Sequence, residues 1–225
     1  MKEKLLNLAT VLLALVAVGA IAASLARMWS GGGTAAAVPA AALVADRPVA
    51  NERELAATGQ VMGDPAAPVR VVVFSDFECT YCRRAARDLA RIRGEMGGRV
   101  AVVFRHFPVG TVHAHARAAA EAAECAGAQG RFEAYHDALF AEQPTVASED
   151  WGHFARIAAV PDTAAFARCV AAHAHRPRVL ADIRAGADLG VVGTPSFVVG
   201  GTLITGADMA RVERAVRDAA AKSGR

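Results

Sequence analysis

Apolar residues run almost unbroken through two short segments, 69–74 (Val-Arg-Val-Val-Val-Phe) and 100–104 (Val-Ala-Val-Val-Phe). Runs of this kind, rich in β-branched residues, mark strands buried on both faces. Between them, residues 83–92 are helix formers with Ala86, Leu89 and Ala90 spaced to share a face. Strand, helix, strand in that order predicts a parallel pair joined by a right-handed crossover. From about residue 113 to 190 the apolar period is helical throughout, broken around 127–130 and at Pro144, Pro161 and Pro177. Ser148 before Trp151 and Asp162 before Phe166 read as helix starts. Strand character returns at 196–199, Gly200-Gly201 supplies a two-residue turn, 202–204 pairs back, and 207–221 closes as an amphipathic helix. The order is βαβ, a helical block, then ββα. It predicts an α/β domain over 61–222, split by a helical insertion at about 110–190.

The polar positions change character ahead of that domain. Lys2 and Lys4 precede a nearly uncharged run, 5–26, closed by Arg27 and Trp29. At ~1.5 Å per residue such a run reaches across a bilayer core. A cleavable signal peptide has a shorter apolar core, whereas an uncleaved anchor runs longer and ends in interfacial residues, so residues 1–29 are read as an anchor with cleavage as the alternative. The lysines stay cytoplasmic and the remainder is exported to the periplasm or the outer face of the membrane. Residues 30–60 are rich in Gly and Ala, with Pro39 and Pro48 and no sustained period, and are read as a flexible linker.

A chain of 225 residues, 54% hydrophobic, can bury one main core. Its net charge of +3 is spread along the chain, which gives a nucleic-acid footprint no support. Export makes the four cysteines informative, because thiols outside the cytoplasm persist as disulfides. Cys79-Thr80-Tyr81-Cys82 stands between the first buried strand and its helix. A lone Cys-x-x-Cys fits a plain disulfide or half a zinc site as well as a redox centre. The strand-to-helix setting selects the redox reading, and no second such pair exists to complete a four-cysteine zinc site. A sulfur at a helix N-terminus meets free backbone N–H groups and the positive end of the macrodipole, which lower a thiol pKa by about 1 to 5 units. Cys79, at the helix entry, is therefore assigned as the exposed nucleophile and Cys82, one turn deeper, as the resolving thiol. Asp76 and Glu78 oppose a thiolate there, while Arg83 and Arg84 favour it.

Cys125 and Cys169 fall in separate helical segments and are expected to form a structural disulfide, the alternative being free buried thiols. His113 and His115, like His173 and His175, are spaced i, i+2 and do not share a helical face, so they read as solvated side chains rather than metal ligands; His106 reads as structural. No metal or other cofactor is called for. Gly193-Thr194-Pro195 precedes the third strand, where a proline implies a bend.

Several blocks in order resemble DsbA-like proteins of the thioredoxin superfamily: Phe-Ser-Asp-Phe-Glu-Cys-Thr-Tyr-Cys ending at Cys82, Arg105-His106-Phe107-Pro108, Glu124-Cys125-Ala126 with Gln129-Gly130-Arg131-Phe132, and the block 190–197. The resemblance implies a thioredoxin fold carrying a helical insertion, a cis peptide bond at Pro195, and a loop before it that faces Cys79. Thr194 would then offer backbone hydrogen bonds to an extended substrate. It further implies a protein disulfide oxidoreductase that donates disulfides to reduced exported proteins and is reoxidised by a membrane quinone-linked partner resembling DsbB or a vitamin K epoxide reductase. The same residues would serve a reductase or isomerase, and a non-catalytic binding or chaperone domain is the alternative of another class. Two positions depart from the family pattern: Thr80 stands where many relatives have proline, and Val73 where relatives often carry a buried acid. A proton path to Cys82 then needs water or another group, Asp76 being a weak candidate.

Overall fold

The computed structural model describes residues 47–148 and 150–223. The segment read as an anchor and the first part of the linker lie outside them. Among the described residues no helix is long and apolar enough to cross a membrane. The chain opens with β1 (Arg47–Pro48), α1 (Glu52–Ala57) and β2 (Gln60–Met62), then β3 (Val69–Ser75), α2 (Thr80–Glu95) and β4 (Val100–His106). The insertion follows as α3 (Ala116–Gly127), α4 (Phe132–Ala141), a 3₁₀ turn (Gln143–Ser148), α5 (Trp151–Ile157), α6 (Thr163–Ala171) and α7 (Arg176–Asp188). β5 (Ser196–Val199), β6 (Thr202–Thr205) and α8 (Met209–Ser223) complete the chain.

The six strands form one sheet in the order β1-β6-β5-β3-β4-β2. β3 and β4 are parallel neighbours, with Val71 beside Val102 and Val73 beside Phe104, while β5 runs antiparallel to β3. Alternation along β3 divides the core. Val69, Val71 and Val73 face the side packed by α2, α8 and the insertion; Val72 and Phe74 face the side covered by α1 and α7. Gly200 and Gly201 both take positive φ, +58° and +79°, which is the geometry a two-residue β5–β6 hairpin requires. On α7, Gly186 lets the helix approach the sheet: a Cβ there would lie 2.6 Å from the Phe107 ring.

Residues 47–60, read as linker, are folded against the sheet over their whole length. Val49, Leu55 and Ala56 are buried on the α7 side, and the guanidinium of Arg105 donates to the Leu55 carbonyl at 3.0 Å. The segment has too few apolar positions to show a period, and takes its structure from the core it covers. At α5 the expected start at Ser148 also moves. Asp150 caps that helix, accepting from the His153 N–H at 2.9 Å, while Ser148 ends the 3₁₀ turn; Asp162 caps α6 through the Ala165 N–H at 2.8 Å.

The insertion is held in two ways. The structure joins Cys125 to Cys169 by a disulfide, tying α3 to α6 across 44 residues. A buried charge cluster then locks it to β4. Asp182 pairs with Arg105 and, at 2.9 Å, with Arg178, and accepts the His106 backbone N–H at 3.1 Å; the His106 ring meets Glu124 at 3.0 Å. Burial depresses the Arg105 pKa and raises that of Asp182. At Glu124 burial is outweighed by the bonds from His106 and Gln60, which hold that carboxyl below its usual range. His106, Glu124 and Asp182 approach one another as metal ligands would, but two guanidinium groups already supply the positive charge.

Candidate active site

β3 ends at Ser75, and the chain turns through residues 76–79 to enter α2. Asp76 organises that turn although it is buried: its carboxylate accepts from the Glu78 N–H at 2.8 Å, the Val109 N–H at 2.7 Å and the His113 ring at 2.8 Å. Glu78 in turn accepts the His115 N–H at 2.7 Å. The two acids named as opponents of a thiolate are thus spent on holding the loop after β4. His113 is tied down and partly covered, whereas His173 remains exposed to solvent while its ring meets Glu121 at 2.7 Å.

Cys79 is the N-cap of α2, with an extended backbone (φ −73°, ψ 118°), so its sulfur stands beside the first free N–H groups of the helix. Both cysteines are free thiols. Cys79, expected to be exposed, keeps only 6% of its surface, because the loop before β5 lies across it; Cys82 keeps 1% and is the less reachable of the two. The Thr194–Pro195 bond is cis, and Cys79 Sγ lies 3.4 Å from the Thr194 carbonyl oxygen. The structure therefore brings Cys79, Cys82, Thr194 and Pro195 together, and places Cys125 and Cys169 in a separate bond within the insertion.

The electrostatics separate the two sulfurs. The Cys82 thiol donates to Cys79 and, against the opposing effect of burial, joins the Cys82 and Tyr81 backbone N–H groups and Thr194 in lowering the Cys79 pKa from 9.0 to about 5. Burial pushes the Cys82 thiol far upward, reinforced by the neighbouring Cys79, with only Ser75 and Thr194 pulling the other way. One sulfur is a thiolate at neutral pH, the other a thiol. At about 1.36 kcal/mol per unit, a pKa of about 5 favours the reduced pair at pH 7 by about 2.7 kcal/mol relative to an ordinary thiol. For a two-electron couple that is about 60 mV in the oxidising direction.

Three residues at the site carry no local sequence signal. Gln143, in the 3₁₀ turn, donates its amide to the carbonyls of Phe77 at 2.8 Å and Cys79 at 3.0 Å, fixing the approach to α2. Ser75 and His136 line a small cavity beside Cys82. Around the entrance, Tyr81 and Val192 are 56% and 64% exposed, and Arg84 lies 5.6 Å from the Tyr81 ring centre. Exposed apolar side chains next to a reactive sulfur suit contact with an unfolded chain.

A family model described as Thioredoxin matches residues 55–218. The chain is 34% identical over 157 residues to the Na(+)/H(+) antiporter NhaA 1 of Mycobacterium sp. strain KMS, an alignment covering 69% of this chain and 25% of the antiporter. It thus spans about a quarter of the length of the curated relatives it matches. Among solved structures, a thioredoxin-like oxidoreductase from Silicibacter pomeroyi DSS-3 is 31% identical with a TM-score of 0.63, covering 76% of this chain and 98% of that one. Oxidised BdbD from Bacillus subtilis shares the fold at 20% identity and a TM-score of 0.67, covering 79% and 98%. With a cysteine pair at the head of α2, a cis-proline loop against it and an inserted helical domain, the chain belongs to the thioredoxin family, alongside a thioredoxin-like oxidoreductase.

Proposed function

We propose that this protein donates disulfides to reduced proteins outside the cytoplasm, held at the membrane by its N-terminal segment. The observation that carries the reading is the split between the sulfurs, Cys79 lowered to about 5 beside a Cys82 that stays protonated. In the oxidised pair, a substrate thiolate attacks Cys79 Sγ, the Cys79–Cys82 bond breaks, and Cys82 leaves with the electron pair and takes up a proton. A second substrate thiol, giving up its proton, then attacks the mixed disulfide and releases Cys79 as a stable thiolate. Two electrons have passed to the cysteine pair, and a quinone-linked membrane protein resembling DsbB or a vitamin K epoxide reductase removes them. The Thr194 backbone offers the substrate an edge to lie along, and Tyr81 and Val192 offer apolar contact. The extracytoplasmic setting draws support from a structural neighbour described as a periplasmic thioredoxin-like protein of Salmonella enterica serovar Typhimurium, and from the apolar run 5–26 between Lys4 and Arg27.

The test is the reduction potential of the Cys79/Cys82 couple, with Cys125 and Cys169 followed separately. A value near about −120 mV supports donation, and one near about −270 mV assigns the same site to a reductase. Oxidative refolding of a reduced substrate must also fail in Cys79→Ser.

A further inference from the structure

Cys82 poses a problem of proton bookkeeping that the exchange reaction cannot avoid. Each time the Cys79–Cys82 bond opens, the departing Cys82 sulfur must gain a proton; each time it closes, that proton must leave. The sulfur is 1% exposed, so bulk water does not reach it directly. Its polar neighbours are Cys79, Thr194 and Ser75, and a hydroxyl can pass a proton on but does not store one at neutral pH. Position 73, on the same face of β3, is valine.

A cavity of about 40 Å³ lies beside this sulfur, lined by Cys82, Ser75, Ala86, Phe104 and His136, with Asp137 at its edge. About 10–15 Å³ suffices for one water, which needs polar partners such as the Ser75 hydroxyl and an imidazole. His136 is itself buried among the rings of Phe77, Phe104, Phe132 and Phe140. Its Nδ1–H donates to Asp137 Oδ1 at 2.8 Å. That bond fixes the tautomer and leaves the Nε2 lone pair, which has no hydrogen-bond partner among the described residues, to act as a base. The charged groups around it are few. Asp137 and Glu133 are on its own helix, and Arg93 on α2 is paired with Glu133. From β4, His106 is engaged by Glu124.

The geometry points to His136 as the group that stores and returns the Cys82 proton, through water in the cavity between them. In the closing direction the Cys82 S–H bond breaks, its electron pair forms the Cys82–Cys79 bond, and the thiolate held on Cys79 is expelled. The proton passes to water while a proton of that water passes to His136 Nε2. In the opening direction the same transfer runs backwards. The assignment rests on the exchange reading above and names the residue that serves it.

The experiment uses the full chain, loaded as a mixed disulfide between Cys79 and glutathione, and follows glutathione release by Cys82 against pH. In His136→Gln, which keeps a polar side chain but no base, release at pH 7 is expected to slow at least tenfold and to follow a pH profile different from that of the wild type. Ala86→Leu, which fills the cavity and leaves the imidazole in place, is expected to slow release to a similar degree. The alkylation rate of Cys79 should stay at the wild-type value in both, showing that the fold and the first sulfur are intact. A wild-type release rate in either folded variant overturns the assignment. Failure of the wild type to form the mixed disulfide at all overturns the exchange reading instead.

Discussion

Replacing Gln143 by leucine removes both amide donors from the carbonyls of Phe77 and Cys79 while keeping a side chain of similar bulk. The two carbonyls do not suffer alike. That of Cys79 still accepts the Arg83 N–H at 3.1 Å, so it loses one of two bonds, worth about 0.5–1.5 kcal/mol. Among the described residues the Phe77 carbonyl has no second donor, and a buried acceptor left bare costs about 1–3 kcal/mol. The expected loss is therefore about 1.5–4.5 kcal/mol, read as a lower urea midpoint with an unchanged slope. Because the same bonds set the direction from which the chain enters α2, the alkylation midpoint of Cys79 should rise as the N-cap relaxes. A stability loss below about 0.5 kcal/mol, with an unmoved midpoint, would refute the idea that this turn of the insertion holds the site in place.

Three further outcomes follow from the same contacts. Converting Cys125 and Cys169 together to serine opens a loop of 44 residues and should lower stability by about 4 kcal/mol, measured by urea unfolding, while leaving the Cys79 titration unchanged. Asp182→Asn strands Arg105 and Arg178 without their shared carboxylate, so chemical denaturation should show a loss of about 3–5 kcal/mol. The reduced protein should also respond to pH. A Cys79 pKa below its unfolded value contributes stability that is complete above the unfolded pKa and is lost as pH falls through about 5, so reduced minus oxidised stability should drop by about 2.7 kcal/mol between pH 7 and pH 4.

The halves of the fold with strong periods were readable from the chain. Val-rich β3 and β4, the helix between them and the Gly200-Gly201 hairpin declare themselves through local pattern. α1 and β2 do not, because a stretch such as Glu-Arg-Glu-Leu-Ala-Ala gains its order from Arg105 and the sheet, about 50 positions away. The cysteine pair was legible for a similar reason, since its chemistry lies in adjacent residues at a strand-to-helix junction. Gln143, 64 residues from Cys79, was not, and His136 resembled any polar position on an amphipathic helix until α4 was packed beside α2. The histidine pairs show the converse. Both pairs lie in the turns that lead into α3 and α7 rather than on helices, so the i, i+2 argument did not apply to them, and His113 and His173 are each held by a carboxylate from a distant segment. Tertiary partners of this kind leave no trace in spacing.

Central to all of this is a sulfur that is already an anion at neutral pH. Its direct measure is the rate of iodoacetamide alkylation of Cys79 in the reduced chain as a function of pH, with the Cys79→Ser variant as the blank. The account expects a midpoint near 5, with the thiolate fully formed at pH 7. A midpoint near ~8.5, that of an ordinary cysteine, would contradict it.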